Sequence, residues 1–378
     1  MAHRLGRSIG LAAAAIGIAA AAAGAADLRT LTKEIFAVPS TTGNEEMLAA
    51  KVRGLLPKGM AVEEDGLGTI AVRLKGAPGR TLLLAPLDGY GHMVSGITPE
   101  GVLTLDRPVA PPHARFDAFL LGQPVIITTA KGPVQGVVSQ PAMHLLTPER
   151  RKLLVDGFSL ETAYVDIGVR SEAEARARGI ELLDPVTYPA VLTELAGDKW
   201  AGPGLGQKAL AAVLVSVAEA LEGSGAAEET VVAWSAQTKF AARGRGARPP
   251  IGAARAKARW QPRRVIAVDV IAAGKGQGPP AGFPVLGEGP AVIRAKAEGS
   301  RIPPEAFEKP ARDAGIPVQS QVGAGSTLQI PFADLADNTL TVALPVEFLN
   351  TPSEIVSLKD LQALRDLLVR FLQPGGAR

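Results

Sequence analysis

Side chains able to move a proton, attack a carbonyl or hold a metal are sparse in this chain. It has no cysteine, which excludes disulfides, thiolate zinc sites, a cysteine nucleophile and a lipid-modified N-terminal cysteine. Beyond His3 the histidines are His92, His113 and His144, and none stands at paired metal-ligand spacing. His92 lies just past Asp88, and a ligand role for it is the less favoured reading. His113 follows Pro111-Pro112 and reads as a loop residue. His144 reads as a structural, hydrogen-bonded histidine. No Gly-x-Ser-x-Gly elbow presents a serine nucleophile. Gly202-Pro203-Gly204-Leu205-Gly206-Gln207-Lys208 superficially matches a phosphate loop, but its spacing is wrong and Ala209 follows the lysine where Ser or Thr must stand.

The elements that would position such groups alternate. Thr30 to Leu56 reads as an amphipathic helical region broken at Pro39-Ser40-Thr41-Thr42-Gly43. Thr69 to Val72 and Thr81 to Ala85 are short apolar strands. From His92 to Val186, short β-prone runs alternate with Gly and Pro, which predicts a small β-rich insert. Helix returns at Lys208 to Leu221. Strands follow at Thr230 to Ala236, Val265 to Ile271 and Leu340 to Pro345. The last helix is expected to start at an N-cap, Ser357, and run to Leu372. Strands alternating with helices imply an α/β domain, residues 27–91 with 187–378, interrupted by the insert at 92–186.

The chain has 378 residues and 47% hydrophobic content, enough for a large core. Its formal net charge is +3, of which Arg4 and Arg7 account for two, leaving +1. That balance does not suggest nucleic acid as a partner. The basic stretch Gly244 to Arg264 reads as a solvated helix face and loop, because only Trp260 could stack on a base. Arg4 and Arg7 precede an apolar run from Ile9 to Ala23 and small residues to Ala26. Residues 1–26 therefore read as an export signal, giving a periplasmic or extracellular protein. A retained membrane anchor is the opposing reading. No later segment is expected to form a stable membrane span.

Ordered landmarks carry a resemblance. They are Ser40-Thr41-Thr42-Gly43-Asn44-Glu45, Glu64-Asp65-Gly66-Leu67-Gly68-Thr69, Leu121-Gly122-Gln123-Pro124-Val125, Pro141-Ala142-Met143-His144-Leu145, Asp166-Ile167-Gly168, Asp184-Pro185-Val186, Leu286-Gly287-Glu288-Gly289-Pro290 and Asn350-Thr351-Pro352-Ser353-Glu354. Together they resemble the tetrahedral aminopeptidases, a family of dinuclear metallopeptidases that includes glutamyl and deblocking aminopeptidases and proteins labelled cellulase M. The resemblance implies a three-layer α/β sandwich of the zinc-peptidase type with an inserted β-barrel-like domain. It also implies assembly through that insert into dimers and larger shells.

The resemblance further implies two divalent ions, such as zinc or cobalt, that polarise the scissile carbonyl and activate a bridging water. Their ligands are two histidines, two aspartates and a glutamate, with a second glutamate as base. At the matching positions stand Pro86 for the first histidine, Gly206 for the bridging aspartate, Thr238 for the base, Lys239 for the ligand glutamate and Asn350 for the last histidine. Asp88 keeps the position that orients the lost histidine, and Asp269 keeps its donor as a weak remnant. The implied outcome is a homologue without metal or catalytic residues, a pseudopeptidase that binds peptides or serves as a regulatory or assembly subunit. Its partners would be further copies of itself or an active relative. An active aminopeptidase with an atypical metal site and a structural envelope protein are the alternatives. Without metals, Asp88 and Asp269 would need compensation, and Lys239 is expected to pair with both. The opposing expectation leaves Lys239 in solvent and Asp269 held by backbone amides.

Overall fold

Leu82 and Leu84 face one side of their strand, Leu83 and Ala85 the other, and all four are buried. A strand buried on both faces belongs inside a layered α/β stack. The computed structural model describes residues 27–240, 250–274, 283–295, 304–323 and 325–375. The expected export signal lies outside these residues, as does the basic run from Gly244 to Pro249.

The α/β part opens with α1 (Leu28–Phe36) and α2 (Glu46–Leu55). Strands β1 (Val62–Glu64), β2 (Ile70–Leu74) and β3 (Ala77–Pro86) follow. The chain then leaves for a closed barrel of six strands. These are β4 (His92–Ile97), β5 (Leu103–Asp106), β6 (Pro124–Thr129), β7 (Gly132–Ser139), β8 (Tyr164–Asp166) and β9 (Pro185–Thr187), ordered β4-β5-β8-β7-β6-β9. Helices α3 (Pro148–Asp156) and α4 (Glu172–Ala177) decorate it. Val94, Leu103, Ile127, Val138 and Val165 form its own core.

On return, β10 (Thr193–Leu195) and β11 (Lys199–Gly202) lead into α5 (Leu205–Ser224). Then come β12 (Glu228–Ser235), α6 (Ile251–Trp260), β13 (Arg264–Ala272), β14 (Ala291–Ala295), α7 (Glu305–Asp313), β15 (Gln319–Gly323), β16 (Thr339–Val346), β17 (Glu354–Ser357) and α8 (Leu358–Leu372). The main sheet has eight strands, β1-β2-β12-β3-β13-β16-β14-β15. Its centre, β12-β3-β13-β16, is parallel. One face packs on α1, α2, α5 and α8, and the other on α6 and the 3₁₀ segment Thr327–Asn338. The molecule is therefore a three-layer α/β fold carrying a barrel.

Some local expectations need correction. Ser357 occupies the N-cap of α8, as expected, but makes no capping bond, and among the described residues its hydroxyl has no partner. His144 is exposed in the 3₁₀ turn Met143–Leu145, and among the described residues its ring has no hydrogen-bond partner. The basic face of α6 is a solvated one, as expected, with Arg255 and Arg259 exposed, and its charges are paired: Arg255 with Asp65, Lys257 with Asp334, Arg259 with Glu63. Among the described residues no helix is long and apolar enough to cross a membrane.

Candidate functional site

In an open α/β sheet, ligands gather beyond the carboxyl ends of the parallel strands. Here the ends of β3, β12, β13 and β16 carry Pro86 to Asp88, Gln237 to Lys239, Asp269 and Asn350. Pro86 ends its strand opposite Ser235 and is buried. Asp88 has no exposed surface. Its Oδ1 accepts the Thr238 N–H at 3.0 Å and the Thr238 hydroxyl at 2.5 Å. Its Oδ2 accepts the Lys239 N–H at 3.0 Å and the Thr42 hydroxyl at 2.8 Å. Four donors saturate this carboxylate, so burial does not leave it orphaned.

That arrangement corrects the expected lysine bridge. The Lys239 ammonium makes no ion pair with Asp88 or Asp269; it sits 5.9 Å from the Tyr90 ring centroid. Asp88 already has its compensation, and Asp269 accepts the Val270 N–H at 2.9 Å and the Ser326 hydroxyl at 2.5 Å. The opposing expectation fails for Lys239, which is part-buried and lines a pocket, and holds in part for Asp269, which takes the backbone N–H of Val270. Burial works against its charge, but Asp269, Asp88 and Glu354 outweigh that and raise its pKa.

The pocket is about 290 Å³ and brings Lys239, Asp269 and Asn350 together with Tyr90, Gln207 and Ser326. A second cavity of about 480 Å³ lies where the barrel meets the sheet and shares Tyr90, Gln207 and Asn350. Phe116, Phe119 and Tyr188 line it. His92 belongs to the barrel side, paired to Asp117 at 3.0 Å and stacked on Phe116. His113 meets the Asn350 carbonyl at 3.2 Å. Gln237 and Asn350 both hold left-handed backbone, φ 50° and 62°, which is costly for residues with a Cβ and often marks sites.

Two glutamates hold these bends. The Gln237 N–H donates to Glu45 at 2.8 Å, as does the Gly43 N–H at 3.0 Å. The Asn350 N–H donates to Glu354 at 2.9 Å, and so does Gly206 at 2.9 Å. Both glutamates lie inside landmarks quoted above, yet their role could not be read from residue type or spacing. Gly206 does not face the pocket. It sits in the first turn of α5, and a Cβ there would meet Val270 and Val346.

Burial, then the nearby Asp88, pushes the Glu45 carboxyl up to about 7. Burial does the same to Glu354, to about 7. Unfolded, each would ionise near 4.5. The folded chain thus binds more protons between those values, and its stability falls as pH rises from about 4.5 to about 7. Each group contributes on the order of 3 kcal/mol to that loss. Urea melts from pH 5 to pH 8 should show the decline, and Glu354→Gln should make it shallower. An unchanged slope in the variant would remove Glu354 from the account.

The two divalent ions implied by the resemblance need neutral imidazole and carboxylate donors. The donor set here does not fit them. Thr238 spends its hydroxyl on Asp88, Asp88 has no free acceptor geometry, and Lys239 brings a cation into the pocket. Among the described residues no three His, Asp or Glu side chains gather to hold a metal.

Comparison with known proteins fits this geometry to a lineage. The family model described as M42 glutamyl aminopeptidase matches residues 68–367. The candidate aminopeptidase SgcX of Escherichia coli (strain K12) is 24% identical over 79% of this chain and 81% of its own length. Its counterpart FrvX, from the same strain, is 24% identical over 90% of this chain and 94% of its own. Among solved structures, a TET aminopeptidase from the marine sediment archaeon Thaumarchaeota archaeon SCGC AB-539-E09 superposes with a TM-score of 0.80 at 23% identity, covering 92% of this chain and 96% of that one. Pyrococcus horikoshii TET1 peptidase, which can assemble into a tetrahedron or a large octahedral shell, gives 0.76 at 22% identity, covering 91% and 98%.

Proposed function

Because the chain belongs to the M42 glutamyl aminopeptidase family, we propose that it is a homologue that keeps the peptidase fold and cleft but has lost metal-dependent hydrolysis. Two observations carry this reading: Asp88 is saturated with hydrogen bonds, and a lysine, Lys239, lines the pocket at the strand ends where the relatives' chemistry would be expected. An ammonium repels divalent ions, and a carboxylate already accepting four hydrogen bonds is a poor ligand or orienting group. The cleft between barrel and sheet remains large enough for a short peptide. Peptide binding, or a regulatory and assembly role beside an active relative, is the function that survives. Assembly into shells like those of Pyrococcus horikoshii TET1 is part of the proposal, as is export directed by residues 1–26.

The test is direct. Purified protein should hold well under one equivalent of zinc, cobalt or manganese by elemental analysis. It should not turn over aminoacyl p-nitroanilides when those metals are added. Asn350→His alone should not restore turnover, because a dinuclear centre needs its ligands together. Two tightly held metal equivalents with hydrolysis would overturn the reading in favour of an active enzyme with an atypical site.

A further inference from the structure

Lys239 and Asp269 line one small pocket, bear opposite charges and do not touch. Among the described residues the Lys239 ammonium has no hydrogen-bond acceptor; its contact is the Tyr90 ring. Asp269 spends one lone pair on the Val270 N–H and one on the Ser326 hydroxyl. A carboxylate offers about four acceptor positions, so it can take more donors. A ligand with only an anionic group would meet Asp269 as well as Lys239, and one with only a cationic group would meet Lys239. A ligand carrying both charges on adjacent atoms satisfies both walls at once.

We propose that this pocket binds the zwitterionic head of a free α-amino acid, its carboxylate on Lys239 and its ammonium on Asp269, with an apolar side chain directed to the neighbouring cavity. At about 290 Å³ the pocket is sized for a very small ligand. The two cavities share Tyr90, Gln207 and Asn350 as a common wall, and Phe116 and Phe119 offer apolar surface beyond it. Asn350, held in left-handed backbone by its N–H bond to Glu354, fixes the shape of that wall. The proposal rests on the reading that no metal pair occupies these strand ends.

Calorimetric titration of the full protein in the presence of a chelator tests it, with L-leucine, L-leucinamide and N-acetyl-L-leucine as probes. Leucinamide keeps the amine and lacks the carboxylate; the acetylated compound is the converse. Leucine should bind saturably, and each blocked analogue should bind at least about tenfold more weakly, as expected for loss of one charge-assisted contact. Lys239→Met should weaken leucine, and it should strengthen leucinamide, whose ammonium no longer meets the lysine's charge. The proposal is overturned if an analogue matches leucine, if leucine is unaffected by Lys239→Met, or if leucine binds only after cobalt is added. The blocked analogues make the test independent of whether the variant folds. Absence of both leucine binding and hydrolysis would sink this inference alone, whereas cobalt-dependent hydrolysis of leucyl p-nitroanilide would sink the non-catalytic reading beneath it.

Discussion

Asp88→Ala is expected to lower the folding stability by about 3–5 kcal/mol, the scale of a buried charged network left without one partner. The carboxylate has no solvent exposure and accepts two backbone N–H groups and two threonine hydroxyls. Removing it leaves the buried N–H of Thr238 and the part-buried N–H of Lys239 without their acceptor, and each such loss costs about 1–3 kcal/mol. The hydroxyls can turn elsewhere; the amides cannot. Asp88→Asn preserves shape but replaces one acceptor with a donor that faces other donors, so it should fall between parent and alanine. Urea denaturation gives the order, and hydrogen exchange at the amides of Thr238 and Lys239 locates the damage. Equal stability of Asp88→Ala and parent would mean that the loop stands without the carboxylate. The prediction also separates structure from ancestry. Asp88 sits where the resemblance assigns an orienting role toward a metal-bound histidine, and the same resemblance puts Pro86 at that histidine's position. Here the carboxylate is the clasp between the end of β3 and the loop after β12.

The layered fold was legible because its signals are local. Apolar runs such as Leu82 to Ala85 read as buried strands, and Ala and Leu at helical spacing read as α5. The edge of the sheet was not legible. Strand β15 is Gln319–Gly323, polar and part-exposed, and α7 contains Pro310; neither has the period that pattern reading requires. At the site, residue types were readable and contacts were not. A lysine between carboxylates suggests an ion pair, because sequence shows side-chain charge and hides the backbone. The donors that satisfy Asp88 include the main-chain amides of residues 238 and 239, which any residue but proline would supply. The same blindness hid Glu45 and Glu354, whose carboxylates hold the backbones of Gln237 and Asn350. His144 shows the converse: a histidine inside a landmark looks structural until its exposure is known.

Gly206→Asp, the change that would put a carboxylate back at the position assigned to the bridging ligand, should destabilise by at least about 4 kcal/mol rather than move the protein toward activity. Gly206 lies in the first turn of α5, and its N–H, one of the donors a helix start leaves unpaired, is taken by Glu354. A Cβ at this position would stand 2.9 Å from Val270 Cγ1, 3.0 Å from Val346 Cγ2 and 3.3 Å from Glu354 Oε2. Branched valines in a sheet turn aside reluctantly, so Gly206→Ala alone should cost about 1–3 kcal/mol by overpacking. The aspartate adds a buried negative charge beside an existing carboxyl group. Glu354 is pushed up to about 7 by burial, so below that pH it is protonated and can donate to the new carboxylate. Above it, two like charges face each other with little water between them. The penalty of Gly206→Asp relative to Gly206→Ala should therefore be larger at pH 8 than at pH 5, while Gly206→Ala should differ from the parent by the same amount at both. Urea melts of the three proteins at the two pH values make the comparison. A pH-independent gap between the two variants would show that shape alone, and not charge beside Glu354, closes this position to a metal ligand.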